Sequence, residues 1–361
     1  MSKLFDPIII RGEKIRNKSW VSPMCQYSSN DGFSNNWHLV HLGSRAVGGA
    51  GLVMTEAAAV EPEGRISPWD LGIWKDEHIA GLKEITDFIS QQGATPAIQI
   101  AHAGRKASTK RPWQGRGKVL IEEGGWTPKG PSPIAFDEES QIPSELSIQE
   151  IENIIEKFVI AAERSVEAGF KCIELHLAHG YLAHEFFSPI SNQREDEFGG
   201  SFEKRTIFGI EIAKKIREKI DDAIPLIARI SITEYHSEGW DTDSSIEFSK
   251  KLKAVGIDLI DCSSGGNYSK QEFNLEPGYQ VPLSKRIRKE AEILTGAVGL
   301  ITEFKHAEEI LKNEEADVIF LGRELLRNPY WNLYATGEID EWPVQYQRSF
   351  ENSKKINYIR E

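Results

Sequence analysis

Two imidazoles and a phenol fall within one six-residue stretch, His176-Leu177-Ala178-His179-Gly180-Tyr181. The stretch follows an apolar run, Cys172 to Leu175, which itself follows a helix-like segment closed by Ala168-Gly169. That layout predicts the three rings at the C-terminal tip of a buried strand. Two N–H donors can hold one developing oxyanion, and a phenol with a reference pKa of about 10 still has a proton to give at neutral pH. Together they suit reduction of a double bond next to a carbonyl. Two other readings stay open from the residues alone. His-x-x-His can be a metal pair, with Glu174, His184 or Glu185 as a third ligand, although no further His/Cys cluster with metal spacing accompanies it. The histidines can also be packed, hydrogen-bonded core residues with no chemistry.

The elements that must carry these rings follow from apolar periodicity. Short apolar runs occur at Trp20–Met24, Gly51–Glu56, Thr95–Ala101, Lys171–Leu177, Pro225–Ile230, Ile257–Ser263, Ile293–Val298 and Asp317–Leu321. Each is too apolar to alternate, as strands buried on both faces are. Helical stretches lie between them, including Ser147–Ala168, opened by Ser147 and Glu150 at capping-box spacing, and Phe202–Lys219. Eight strands alternating with helices predict a (β/α)8 TIM barrel, with its chemistry at the C-terminal strand ends. An open doubly wound sheet is the alternative, but no Gly-x-Gly-x-x-Gly follows the first strand. Residues 3–18 predict a β-hairpin capping one barrel end. The stretch Ser108–Pro133, rich in Gly, Pro, Lys and Arg, predicts an extended loop over the C-terminal face, with Trp113 and Trp126 near a pocket. Residues 337–361, with Trp342, Tyr346, Phe350 and Tyr358, predict a docked tail. No linker divides the chain, so residues 1–361 are expected to form a single domain.

Composition narrows the function. The chain has 361 residues, 40% of them hydrophobic, enough for a full core. A formal charge of -12, from 43 basic and 55 acidic side chains, argues against nucleic-acid or anionic-membrane partners. The start, Met1 to Pro7, carries Lys3 and Asp6 and no signal-peptide core, and no run reaches the ~18 apolar residues of a membrane helix. The three cysteines, Cys25, Cys172 and Cys262, are too dispersed for a redox pair or a metal cluster, so the expected home is a reducing cytoplasm.

Other strand tips add to the site. The first leads into Ser22-Pro23-Met24-Cys25-Gln26-Tyr27 and the third into Gln99-Ile100-Ala101-His102-Ala103-Gly104-Arg105-Lys106. Arg229 lies in the fifth, beneath an electron-poor ring or paired with a core carboxylate. The seventh ends at Gly299 and the eighth at Leu321-Gly322-Arg323. Glycines after strands seven and eight, with an arginine fork beside them, match the phosphate site of this fold and predict a phosphate-bearing ligand.

These segments, together with Ser188-Pro189-Ile190-Ser191-Asn192-Gln193-Arg194 and Phe198-Gly199-Gly200-Ser201, resemble the old yellow enzyme family of FMN-dependent ene-reductases over essentially the whole chain. With Cys at 25 and Tyr at 27, the chain is most similar to the thermophilic-like bacterial branch, and its Arg105–Trp113 stretch, with its long insertion, is most similar to bacterial xenobiotic reductases. The resemblance implies that Ser22, Pro23, Met24, Cys25, Ala57, Gln99 and Arg229 hold the flavin ring and that Gly299, Gly322 and Arg323 take the FMN phosphate. It implies that Cys25 tunes the flavin, that His176, His179 and Tyr27 bind the substrate oxygen, and that Tyr181 protonates the α carbon. Val344-Gln345-Tyr346-Gln347-Arg348 resembles a segment whose arginine enters a neighbouring subunit's site, so Arg348 is expected to act across a homodimer or a dimer of dimers. The implied reductant is NADPH, with NADH as the alternative, and the implied substrates are enones or nitro-compounds. The competing functions are a cofactor-free barrel isomerase or aldolase and a non-catalytic flavin-binding protein. A related iron–sulfur barrel needs a cysteine cluster that this sequence lacks.

Overall fold

The computed structural model describes residues 2–115 and 117–350. Eight parallel strands close a barrel: β1 (Ser19–Val21), β2 (Leu52–Ala59), β3 (Thr95–Ala101), β4 (Cys172–Leu177), β5 (Leu226–Ser231), β6 (Leu259–Ser263), β7 (Leu294–Ala297) and β8 (Val318–Leu321). Each pairs with its neighbour in sequence, and β8 returns to β1 with Phe320 opposite Trp20. The fold is the expected (β/α)8 barrel. The helices that wrap it include α1 (Asn36–Val47), α2 (Glu77–Gln91), α3 (Ile148–Glu167), α4 (Leu182–Phe187) and α5 (Phe202–Lys219).

The barrel interior is layered. At its N-terminal end Trp20, Leu52, Met54, Ala97, Cys172, Ile227, Leu259, Val318 and Phe320 pack together. The hairpin Ile8–Ile10 with Glu13–Ile15 stops that end, sending Ile10 and Ile15 into the same cluster. Toward the C-terminal end the inward positions turn polar, with Gln99, Glu174, His176, Arg229 and Asp261 all buried. This polar layer is the floor of the site.

Two strand ends differ from the sequence reading by three residues, the others by no more than two. β1 stops at Val21, and the chain leaves the sheet before Pro23, which has no N–H for a ladder. β2 runs past Glu56 to Ala59, with a register shift between Met54 and Ala57. Glu56 looked like a strand end because it is charged. It is nevertheless buried, with Oε1 3.2 Å from His38 Nε2 and Oε2 accepting the Gln26 N–H.

The helix α3 shows how local chemistry sets an element's start. The Ser147 N–H donates to Glu150 Oε2 at 2.9 Å, and Ser147 Oγ faces the Glu150 N–H at 3.3 Å. Its buried stripe, Ile151, Ile154, Ile155, Phe158 and Ala162, seats it on the barrel. Ser147→Ala is expected to cost about 1 kcal/mol, read as a lower urea midpoint at unchanged slope.

The loop after β3 is held rather than free. Thr109 donates its N–H to Ile66 O at 2.8 Å, Trp126 Nε1 donates to Glu63 O at 2.8 Å, and Lys129–Gly130 pairs with Ser144–Glu145. Trp126 packs under the Arg65 guanidinium, whereas Trp113 stays largely exposed with its edge on Tyr27, ring centroids 5.9 Å apart. In the described part of the tail, Trp342 stacks on Tyr330 and meets Tyr334 and Phe350 edge-on. Tyr358 lies outside the described residues.

Candidate active site

Period-two alternation along β4 turns Cys172, Glu174 and His176 to one face, toward the barrel axis. Beyond Leu177 the chain reverses through two successive left-handed residues, His179 (φ 61°) and Gly180 (φ 70°). Gly180 is required on two counts, since a Cβ there would also collide with Gly266 O. The turn gathers the three rings. His176 lies 5.2 Å from His179 and 4.9 Å from Tyr181, centroid to centroid, edge-on to both.

Its geometry is fixed from outside. The His179 N–H donates to Ser231 Oγ at 2.9 Å, and the Lys106 ammonium donates to His179 O and Gly266 O at 2.8 and 2.9 Å. The His179 Nε2 atom is 2.6 Å from Ser263 Oγ, so this ring offers Nδ1 to a ligand. His176 Nδ1 accepts the Ala178 N–H at 3.3 Å, so a neutral ring carries its proton on Nε2. Burial holds both imidazoles well below the usual histidine range, and the nearby Arg229 and Lys106 cations add to the effect. Both are neutral at pH 7, not imidazolium ions. Burial pushes the Tyr181 phenol up, with Cys25 and Asp70 adding to it, and so keeps its proton in place. Lys106 is lowered to about 8, first by burial and then by Arg105.

The loop after β1 faces this group. Tyr27 takes a left-handed conformation (φ 50°) and borders a cavity of about 450 Å³ together with Ile66, Lys106, Lys110 and Phe136. Burial raises the Tyr27 phenol, followed by the Cys25 and Tyr181 charges. Cys25 is half-buried, unlike Cys172 and Cys262, and its thiol is pushed up by burial and then by Asp70 and Glu56. A small gap beside Ala57, Ile66 and Asp70 is shared by His176 and Tyr181.

Beneath them lies a buried polar network. Arg229 Nε donates to Asp261 Oδ2 at 2.6 Å and Nη2 to Ser22 Oγ at 2.7 Å, while Gln99 Nε2 donates to Glu174 Oε1 at 2.7 Å. Of the two expectations for Arg229, the pairing with a core carboxylate is met, and Nη1 has no protein partner among the described residues. The suspected third ligands for a metal are engaged elsewhere, Glu174 with Gln99, Glu185 with the Arg105 N–H, and His184 Nε2 2.9 Å from Glu234 Oε1.

The sequence profile of the NADH:flavin oxidoreductase / NADH oxidase family matches residues 3–340. An NADPH dehydrogenase of Geobacillus sp. (strain WCH70) is 47% identical over 352 residues, covering 96% of this chain and 98% of the relative. The chain belongs to the old yellow enzyme family. Among solved structures, the old yellow enzyme homologue of Zymomonas mobilis superposes with a TM-score of 0.77 at 23% identity, covering 97% of this chain and 99% of that one, which shows the shared fold. A 2-naphthoyl-CoA reductase superposes with a TM-score of 0.83 at 26% identity over 94% of this chain, which spans only 53% of that longer protein.

Old yellow enzymes of this kind are oxidoreductases whose cofactor is FMN, and the barrel mouth of this member fits that group. Strand ends β7, β8 and β1 are adjacent in the ring, which brings Gly299, Gly322, Arg323 and Ser22 to one side. A Cβ built on Gly322 meets nothing closer than Met24 Sδ at 3.7 Å, so the glycine borders open space rather than packed chain. Arg323 is exposed and has no ion pair among the described residues, leaving its fork free for a phosphate. Ala57, Gln99 and Arg229 lie in the C-terminal halves of β2, β3 and β5. Arg348 is exposed in the tail.

The residues that sequence reasoning missed are Asp261, Lys106 as a clamp on the His179 carbonyl, and Ser263. Asp261 had a readable signal, because a carboxylate in the middle of the run Leu259–Ser263 must find a partner inside the barrel. Lys106 and Ser263 contact the loop across large sequence separations, and nothing local announces such contacts.

Proposed function

We propose that this oxidoreductase is an ene-reductase that draws electrons from NADPH, as its relatives named NADPH dehydrogenase do, and reduces the C=C bond of α,β-unsaturated carbonyl or nitro compounds. Ser22, Pro23, Met24, Cys25, Ala57, Gln99 and Arg229 would hold the flavin ring, and Gly299, Gly322 and Arg323 its phosphate. Bound FMN supplies hydride acceptance from NADPH and hydride donation to the β carbon of the alkene. The observation that carries the reading is the convergence of two neutral imidazoles and one protonated phenol at the barrel mouth.

His176 Nε2–H and His179 hold the carbonyl or nitro oxygen, and their hydrogen bonds strengthen as negative charge moves onto it. Only that increase speeds the reaction. Tyr181 gives its proton to the α carbon as general acid. Tyr27, edge-on to Trp113, closes the substrate side opposite the histidines and supplies a further phenol donor. Cys25, beside Tyr27, sets the polarity of the flavin's edge. The chain acts as one domain, and Arg348 completes the site of a second copy.

The test is anaerobic stopped-flow. The purified protein should show a flavin band that NADPH bleaches and 2-cyclohexenone restores. NADH in place of NADPH measures the nucleotide preference. A colourless protein returns the cofactor-free isomerase, and bleaching without reoxidation by any enone returns the flavin binder. Tyr181→Phe should slow the reoxidation by about 10²-fold or more, with bleaching by NADPH little changed. Unchanged reoxidation removes Tyr181 as the acid.

A further inference from the structure

The polar layer under the three rings holds two carboxyl groups and one guanidinium. Glu174 and Asp261 come from β4 and β6, and alternate strands of a barrel contribute side chains to one layer. Glu174 Oε1 is taken by Gln99 and Asp261 Oδ2 by Arg229. The remaining oxygens, Glu174 Oε2 and Asp261 Oδ1, are fully buried and meet no N–H or O–H donor from another residue. The two side chains are nevertheless hydrogen-bond partners of each other. Two carboxylate oxygens with no donor between them repel, so the contact requires a proton. With one shared proton the two carboxyls carry a single negative charge, and Arg229 neutralises it.

We propose that Glu174 and Asp261 form a redox-linked proton store, holding one shared proton while FMN is oxidised and taking a second from solvent when FMN is reduced. The proposal rests on the reading above that Arg229 Nη1 faces the flavin. Hydride from NADPH carries two electrons and one proton to the flavin as its C–H bond breaks, which adds one negative charge beside Arg229. One solvent proton then forms an O–H bond on the dyad. The dyad becomes neutral, and the Arg229 charge is left to the reduced ring.

The neighbours favour a second proton over any other response. The groups facing the dyad are Arg229 from β5, Gln99 from β3, His176 and Cys172 from β4, Cys262 beside Asp261, and Ser22 after β1. Arg229 is the one permanent charge among them. His176 is held neutral, and both cysteines are held as thiols by burial. Burial already raises both carboxyls; the Asp261 charge raises Glu174 further, while Arg229 and the hydrogen bond with Glu174 hold Asp261 back.

The experiment measures the FMN midpoint potential of the holoenzyme between pH 6 and 8.5 in the wild type, Glu174→Gln and Asp261→Asn. Two protons per two electrons change the reduction equilibrium a hundredfold per pH unit, about 59 mV, whereas one proton gives tenfold, about 30 mV. The wild type should follow the steeper line and both variants the shallower one. A pH indicator in weak buffer gives a second readout, one solvent proton consumed per flavin bleached by NADPH in the wild type and close to none in the variants. A one-proton slope in the wild type overturns the proposal. So does a two-proton slope that survives both substitutions, which assigns the second proton to the flavin itself. A flavin spectrum and potential unmoved by Arg229→Met would instead sink the reading of Arg229 on which the proposal stands.

Discussion

Replacing His176 with alanine is expected to leave FMN bound and bleaching by NADPH largely intact, while slowing reoxidation by 2-cyclohexenone by about 10²–10³-fold. Removal of one donor aimed at a developing oxyanion costs about 2.7–4 kcal/mol in comparable sites, which is that range of rate. His176 qualifies because its Nδ1 is occupied by the Ala178 N–H, which fixes the proton on Nε2. Its depressed pKa also makes a prediction in pH. A neutral donor does not titrate between pH 6 and 8, so the wild-type reoxidation rate should be flat there. An imidazolium donor would give a rate that falls as pH rises through the usual histidine range. Single-turnover reoxidation across that window, with the variant alongside, separates the two. A variant reoxidised within a few-fold of the wild type shows that the donor pair does not carry the rate.

His179 is expected to behave differently, since its ring is tied to Ser263 Oγ and its backbone to Ser231 and Lys106. Its replacement removes a donor and an anchor of the loop at once, so binding and rate should suffer together. That difference between two histidines three residues apart comes from tertiary contacts alone.

The barrel was legible because strands buried on both faces are short, continuous apolar runs, and eight of them alternate with amphipathic helices. The Thr95–Ala101 and Phe202–Lys219 boundaries match the sequence reading residue for residue, since turn or capping residues flank each. The end of β2 was not legible. Glu56 is charged, and only a fold that brings His38 and the Gln26 N–H to it allows the strand to continue. The site was legible where one short segment carries several functional groups, as at His176, His179 and Tyr181. The floor beneath was not, because Arg229, Asp261, Glu174 and Ser22 meet across 207 residues of chain. A carboxylate in a buried run announces that a partner exists but does not name it.

The floor also sets the largest stability effect. Arg229→Met keeps the volume of the side chain but removes the one permanent charge that offsets the buried dyad. Breaking a buried pair from one side typically costs about 3–5 kcal/mol, because the remaining charge has lost its partner and regained no water. The loss should depend on pH in a definite direction. Without Arg229 the Asp261 carboxyl, already raised by burial, is raised further above its unfolded value of about 3.9. The folded state then binds more protons than the unfolded state, so stability falls as pH rises and levels off only above the folded pKa. Urea unfolding of protein freed of FMN should therefore show the variant closest to wild type near pH 5 and furthest from it near pH 8. Removing free cofactor matters because a ligand bound only to the folded state adds its own stability. Adding Asp261→Asn to Arg229→Met deletes the orphaned charge and should recover much of the loss at pH 8 while changing little at pH 5. A deficit that is the same at both pH values, or that the second substitution deepens, would mean that Arg229 serves the fold through packing rather than through its charge.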